Sequence, residues 1–168
     1  MKKHLNDLYL SGDLSVTGIM NAVAQQWITA EDAAEIVGEE NALPVLKAAK
    51  VAGTKTGLAA YLEAHPLTWI DGQSYTVTAD KQSLLTSQLA LYQTAMAAGQ
   101  PYELKWNPTG GECSVWDYEN LVALALAIGQ YVQPLVSYQQ AKEVEIMGCE
   151  SIENLEAIVV DYAAVASV

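Results

Sequence analysis

The most regular pattern in the chain is an apolar stripe of helical period: Leu121, Leu124, Ile128, Tyr131, Leu135 and Tyr138 recur at alternating steps of three and four. That spacing puts all six on one face of a helix. Asp117 stands where an N-cap accepts the first backbone N–H groups, and Gly148 stands where a helix stops. Gly129 and Pro134 fall inside the pattern, so a kink is expected near Gln130, where the proline removes a hydrogen bond. A second long helix is capped by Thr78 or Asp80, runs to about Ala98, and is ended by Gly99 and Pro101. Its expected core face is Leu85, Leu89, Tyr92 and Met96, with Leu84, Gln88 and Leu91 alongside. Packing these two faces on each other accounts for both stripes. The alternative makes the first stripe the seam of a homo-oligomer, although it is short for a coiled coil.

Period-2 stretches precede each long helix. Leu67–Ile70 and Gln73–Val77 flank Asp71-Gly72, a two-residue hairpin signal. Tyr102–Trp106 alternates as a strand should, Asn107–Gly111 is a turn cluster, and Cys113–Trp116 is the return strand. Before Pro66 the pattern is one of short helices. Ser15 or Thr17 caps a helix with apolar positions Ile19, Met20, Val23 and Trp27. Thr29 caps the next, Glu31 and Asp32 sit where the helix dipole favours acids, and Gly38 closes it. Pro44 starts a helical piece through Val51, Gly53 and Gly57 interrupt it, and Leu58–Leu62 forms a further turn or two. Ser151 caps a last short turn through Leu155, and Ile158 to Val168 is an apolar, weakly specified tail. No internal repeat or low-complexity linker is present.

These elements predict an α+β, predominantly helical chain. A small helical domain over 1–64 is followed by a ββα-ββα domain over 67–168 with one long C-terminal helix.

Charge then narrows the function. The net charge is −12, with five Lys against eight acids in residues 1–64 and three against twelve in 65–168, and no Arg at all. Binding nucleic acid requires clustered cations to displace counterions, so a direct role there is excluded. The helix-turn-helix spacing near 16–38 is no exception, since Glu31, Asp32 and Glu35 would repel a phosphate backbone. Anionic membrane surfaces are disfavoured by the same repulsion. No apolar run follows Lys2-Lys3, so no signal peptide is expected, and the run Leu121–Ile128 is too short to span a bilayer. Cys113 and Cys149 are expected reduced.

Candidate chemistry is sparse. The only histidines are His4, in a terminus expected to be mobile, and His65 beside Pro66; neither sits in a nucleophile motif. The two cysteines lack further ligands at metal spacing and read as small buried hydrophobes, Cys113 with the option of an exposed thiol. Glu143, Glu145, Glu150 and Glu153, and the pair Glu39 and Glu40, read as solvated helix ends. Asn107–Gly111 lacks the Lys-Ser/Thr of a phosphate loop. The Trp and Tyr side chains can line a sugar or peptide groove, with core and interface packing as the default. No catalytic, cofactor or metal residue is expected, and no cofactor.

Two stretches resemble bacteriophage proteins. Residues 17–38, with Ile28-Thr29, the acids at 31, 32 and 35 and the closing Ile36-Val37-Gly38, resemble the small XkdX-like proteins of phage and prophage tail modules. They depart at Gln26-Trp27, where a glycine is common before Ile-Thr. Residues 69–160 are similar to a phage domain of unknown function found near the C-terminus of tail-fibre proteins. The similarity lies in the Asp71-Gly72 strand pair, the second pair closing on Trp106 and Trp116, the long helix, and Ile146 to Leu155. The resemblance implies a non-enzymatic tail protein of the baseplate or fibre that contacts other phage tail or fibre proteins. Such a protein is made in the host cytoplasm and carried in the virion. The alternative is a tail-fibre assembly chaperone that is not retained.

Overall fold

A computed structural model describes residues 1–166; Ser167 and Val168, the end of the expected tail, lie outside the described residues. The chain is about 68% helical, with two small antiparallel strand pairs. The elements in order are α1 (Lys2–Leu10), α2 (Val16–Ala24), α3 (Ala30–Val37), α4 (Glu39–Ala64), β1 (Leu67–Thr68), β2 (Ser74–Tyr75), α5 (Ala79–Ala97), β3 (Lys105–Trp106), β4 (Ser114–Val115), α6 (Tyr118–Gly148), α7 (Ile152–Ala157) and α8 (Tyr162–Ala166). Among the described residues two compact units form, one from residues 1–55 and 140–160, the other from 56–139 and 161–166. The composition change at Pro66 marks the end of α4 and the start of β1, whereas the units divide at 55/56, 139/140 and 160/161.

The first unit is helical and built around Ile19, Ala33 and Ala42, which have no exposed surface. Ile152 of α7 joins that core, and its N–H donates to Glu39 Oε1 at 2.9 Å. Ile146, Leu155 and Ile158 gather against Leu43, Leu46 and Val51 as a second cluster. The N-terminus is a helix rather than a mobile segment. Leu5 is buried, and Lys2 Nζ lies 2.7 Å from Asp32 and 2.6 Å from Glu35 on α3. Thr29 caps α3 as expected: its hydroxyl accepts from Asp32 N–H, and Asp32 reaches back to Thr29 N–H in a capping box. Gly38 does take positive φ (84°), but with an extended ψ (142°), and it feeds directly into α4.

Helix α4 corrects the expectation of broken pieces. It is one helix of 26 residues through Pro44, Gly53 and Gly57. Each glycine weakens a helix by about 1 kcal/mol, which the burial of Ala42, Thr54 and Leu62 along the same helix offsets.

Three helices end in the same motif, with the residue after the cap in left-handed conformation and its N–H returned to the last turn. Gly12 (φ 82°) does this after α1 and Gly99 (φ 66°) after α5. After α2 the position belongs to Gln26, at φ 59°, whose N–H reaches Val23 O while Trp27 N–H reaches Ala22 O. A side chain there is strained by roughly 1–2 kcal/mol. Gln26→Gly is therefore expected to stabilise the protein by up to about 1 kcal/mol, part of the relief being lost to the extra freedom of the unfolded glycine. A rise in urea midpoint at unchanged slope checks it. Trp27, expected in the core, follows this turn and is 59% exposed.

The second unit holds both hairpins. In the first, Gly72 N–H donates to Trp69 O and Trp69 N–H to Gln73 O, each at 2.9 Å, and Gly72 has φ 78°. The turn thus runs through Ile70 and Asp71 with Gly72 as a left-handed bulge residue, one residue longer than the expected two-residue form. In the second, Lys105 pairs with Val115 and Trp106 with Ser114. Both hairpins have shorter strands than the alternation suggested.

Asp117 caps α6 through Asn120 N–H at 2.8 Å, and α6 runs unbroken through Gly129 and Pro134 to Gly148. Of the six stripe residues, Leu121, Leu124, Ile128 and Leu135 are buried by the chain itself. Tyr131 and Tyr138 are half-buried, their hydroxyls bonded to His65 O and Asp161 N–H. A seam between copies would need this stripe exposed. By length and composition α6 as a whole is apolar enough to cross a membrane, which the short run Leu121–Ile128 did not suggest. On α5, Leu85 is buried and Leu89 and Tyr92 half-buried, with Tyr92 stacked on Tyr118 at 4.9 Å. Met96, expected with them, is 44% exposed, as are Leu84 and Leu91 to a similar degree.

Candidate functional site

Sequence-separated aromatics meet where the two hairpins come together. Thr109 N–H donates to Ser74 O at 2.7 Å, and the Thr76 and Thr109 hydroxyls lie 2.9 Å apart, joining the second loop to the first hairpin. That loop turns at Pro108–Gly111, with Gly110 at the positive φ (72°) a type II turn needs. Trp116 is set by its N–H, which donates to Leu104 O at 3.0 Å. It stacks on Trp69 with ring centres 5.7 Å apart and planes 30° apart, and Tyr75 meets both indoles edge-on. Edge-on and offset contacts are the arrangements aromatic quadrupoles favour.

Tyr75 is buried and anchors the cluster, while Trp69 and Trp116 stay half-exposed. A groove of about 730 Å³ opens over them, within the roughly 300–1,000 Å³ usual for small-ligand sites. Three carboxylates line it: Asp71, Glu112 and Asp117. Asp71 is held by two bonds, Oδ1 accepting from Gln73 N–H at 2.9 Å and Oδ2 from the Tyr75 hydroxyl at 2.7 Å. Burial, and then the Asp71 carboxylate, push the Tyr75 phenol well above its usual range. Backbone and side-chain donors of Asn120 hold Asp117 below the usual carboxylate range, so it is ionised at neutral pH. Gln73 and Ser114 add neutral polar groups, and among the described residues no Lys or His lines the groove.

No match to this chain is found among known protein families, curated proteins or solved structures.

The residues singled out for chemistry lie elsewhere. His4 is exposed on α1; His65 is exposed, stacked on Tyr61 at 4.0 Å, with Nδ1 2.8 Å from Tyr61 O. Cys113 is exposed rather than buried and Cys149 half-buried. Glu143 pairs with Lys55 and Glu145 with Lys142, while Glu150 and Glu153 are exposed. Among the described residues no three His, Cys, Asp or Glu side chains gather as a metal site.

One carboxyl pair went unnoticed in the sequence. Glu31, in the first turn of α3, and Glu156 of α7 line one hollow of about 710 Å³ with Trp27 and Lys50, and each shifts the other's titration. The Thr29 hydroxyl, then its own backbone N–H, then Glu156 draw Glu31 below the ordinary 4.5. Desolvation, then Glu31, raise Glu156 above it, with Lys50 opposing. A raised pKa contributes stability in acid that is lost as the pH climbs through it; the lowered pKa of Glu31 acts in the opposite sense. At neutral pH the two therefore repel. Glu156→Gln, which always carries N–H donors, is expected to melt higher than the wild type at pH 7. The gap should narrow towards pH 4 in melting curves across that range, and curves that stay parallel would contradict the pairing.

Proposed function

We propose that this chain is a non-enzymatic accessory protein of a bacteriophage or prophage tail, at the baseplate or on a tail fibre, working by contact with other tail or fibre proteins. The likeness of residues 17–38 and 69–160 to tail-module sequences supports this reading. The observation that carries its contact role is the open groove of half-buried Trp69 and Trp116, an arrangement common in interface patches. We take the order β1-β2-α5-β3-β4-α6 as a ββα-ββα module that displays the groove, with α6 a core helix rather than a membrane span. Neither nucleic acid nor cofactor is part of the reading. The protein is made in the host cytoplasm and located in the virion.

Quantitative mass spectrometry of purified particles tests it. Stoichiometric copies of the chain are expected, and absence from the particle overturns the structural-component version. The same open groove favours one alternative, an assembly chaperone that captures a fibre segment transiently. Co-expression separates the two, because a chaperone raises the yield of folded fibre without remaining on it.

A further inference from the structure

The groove over Trp69 and Trp116 has the chemistry of a receptor for a cation. Indole faces attract a guanidinium or ammonium through their quadrupoles. Asp71, Glu112 and Asp117 add formal negative charge to the same lining, and no cation there neutralises them. The chain already shows this pairing once, with Lys81 Nζ 5.4 Å from the centre of the Trp106 ring. At the rim, Ile70 and Val115 are exposed and offer apolar surface to the methylene stem of a long basic side chain.

The occupant has to come from another protein. This chain has no arginine and only eight lysines. Lys2, Lys55, Lys105 and Lys142 already face acids, Lys47 and Lys50 donate to backbone carbonyls, Lys81 lies over its ring, and Lys3 shares a hollow with Glu35. A second copy would also bring a net charge of −12 towards three carboxylates. Phosphates and acidic sugars are repelled for the same reason, and a neutral sugar would use the rings while leaving the acids unneutralised.

We propose that the groove binds an arginine- or lysine-bearing segment of a different protein, the basic side chain lying on the Trp69–Trp116 pair with its charge among Asp71, Glu112 and Asp117. This rests on the contact reading above and names the partner's chemistry.

The test uses the full chain and a fluorescent peptide carrying two arginines among glycines and serines, against the same peptide with neutral citrulline in their place. Anisotropy titration should give saturable binding of the arginine peptide and at least about tenfold weaker binding of the citrulline one, since π attraction and Coulomb pull vanish together. Raising salt from about 0.05 to about 0.5 M should weaken the arginine complex several-fold. Glu112→Gln, at an exposed position outside the Asp71–Tyr75 bond, should weaken it measurably, and Trp116→Ala should abolish it. Trp27→Ala in the first unit should leave it unchanged. Equal binding of both peptides, binding of neither, or salt-independent binding of a neutral oligosaccharide in their place would overturn the proposal. The particle experiment is unaffected by any of these results, so the two readings fail separately.

Discussion

Leu124→Ala is expected to remove about 2–5 kcal/mol of stability, the range for emptying a fully buried leucine site. Leu124 has no exposed surface and belongs to the stripe that α6 turns inward. Two residues on, Leu126 is 63% exposed, and Leu126→Ala should change stability by no more than about 0.5 kcal/mol. Small domains hold only about 5–15 kcal/mol in total, so the first variant is expected to be partly unfolded on mild warming and the second to resemble the parent. Urea unfolding of both, compared at equal slope, gives the difference directly. The contrast also decides which face of α6 matters. A large loss at Leu126 would mean that the helix uses its outer face, against lipid or another chain, and that the stripe is misassigned.

The second large effect is expected at the floor of the groove and should be lopsided. Tyr75→Phe deletes the buried hydroxyl and returns Asp71, at an exposed turn, to water; a net loss of about 0.5–1.5 kcal/mol follows. Asp71→Ala leaves that hydroxyl buried without its acceptor, while water takes over the exposed Gln73 N–H, so about 1–3 kcal/mol is expected, nearly all of it from the hydroxyl. The double variant should be no less stable than Asp71→Ala alone, because the hydroxyl that suffers is gone. Additive losses in this cycle would show that the bond does not hold the turn.

Much of the helical layout was legible because it is written locally. Thr29, Asp117 and the left-handed Gly99 are short-range capping signals, each acting at the place the pattern indicated, and α6 ends at Gly148 as expected. The stripe on α6 was legible because burial on one helical face imposes its period on the sequence. What was missed needed tertiary information. Pro44, Gly53 and Gly57 look like breaks, and only the burial of side chains along α4 explains why the helix runs on. Helix α1 has Leu5, Leu8 and Tyr9 at helical spacing but carries no capping signal, and the ion pairs that hold it lie with Asp32 and Glu35 on α3. Trp27 and Met96 were placed inside by residue type, yet a large apolar side chain near a helix end can remain in solvent. That aromatic side chains could line a groove was legible, but not which of them do. Trp69 and Trp116 flank different hairpins, which tertiary bonds from Thr109 to Ser74 and Thr76 join. The Glu31–Glu156 pair was hidden likewise, by the distance along the chain between α3 and α7.

The claim on which the rest turns is that this molecule works by holding another protein through its hairpin groove. Carbodiimide coupling, which joins carboxylates to lysines in contact, should be applied to lysates of producing cells during particle assembly and to purified particles, with the linked peptides then sequenced. The account predicts a bond from Asp71, Glu112 or Asp117 to a lysine of a different tail or fibre protein. Links confined to this chain's own lysines in both preparations, together with no link to another protein from a photo-crosslinking residue placed at Val115 on the groove rim, which captures an arginine-bearing segment equally, would contradict it.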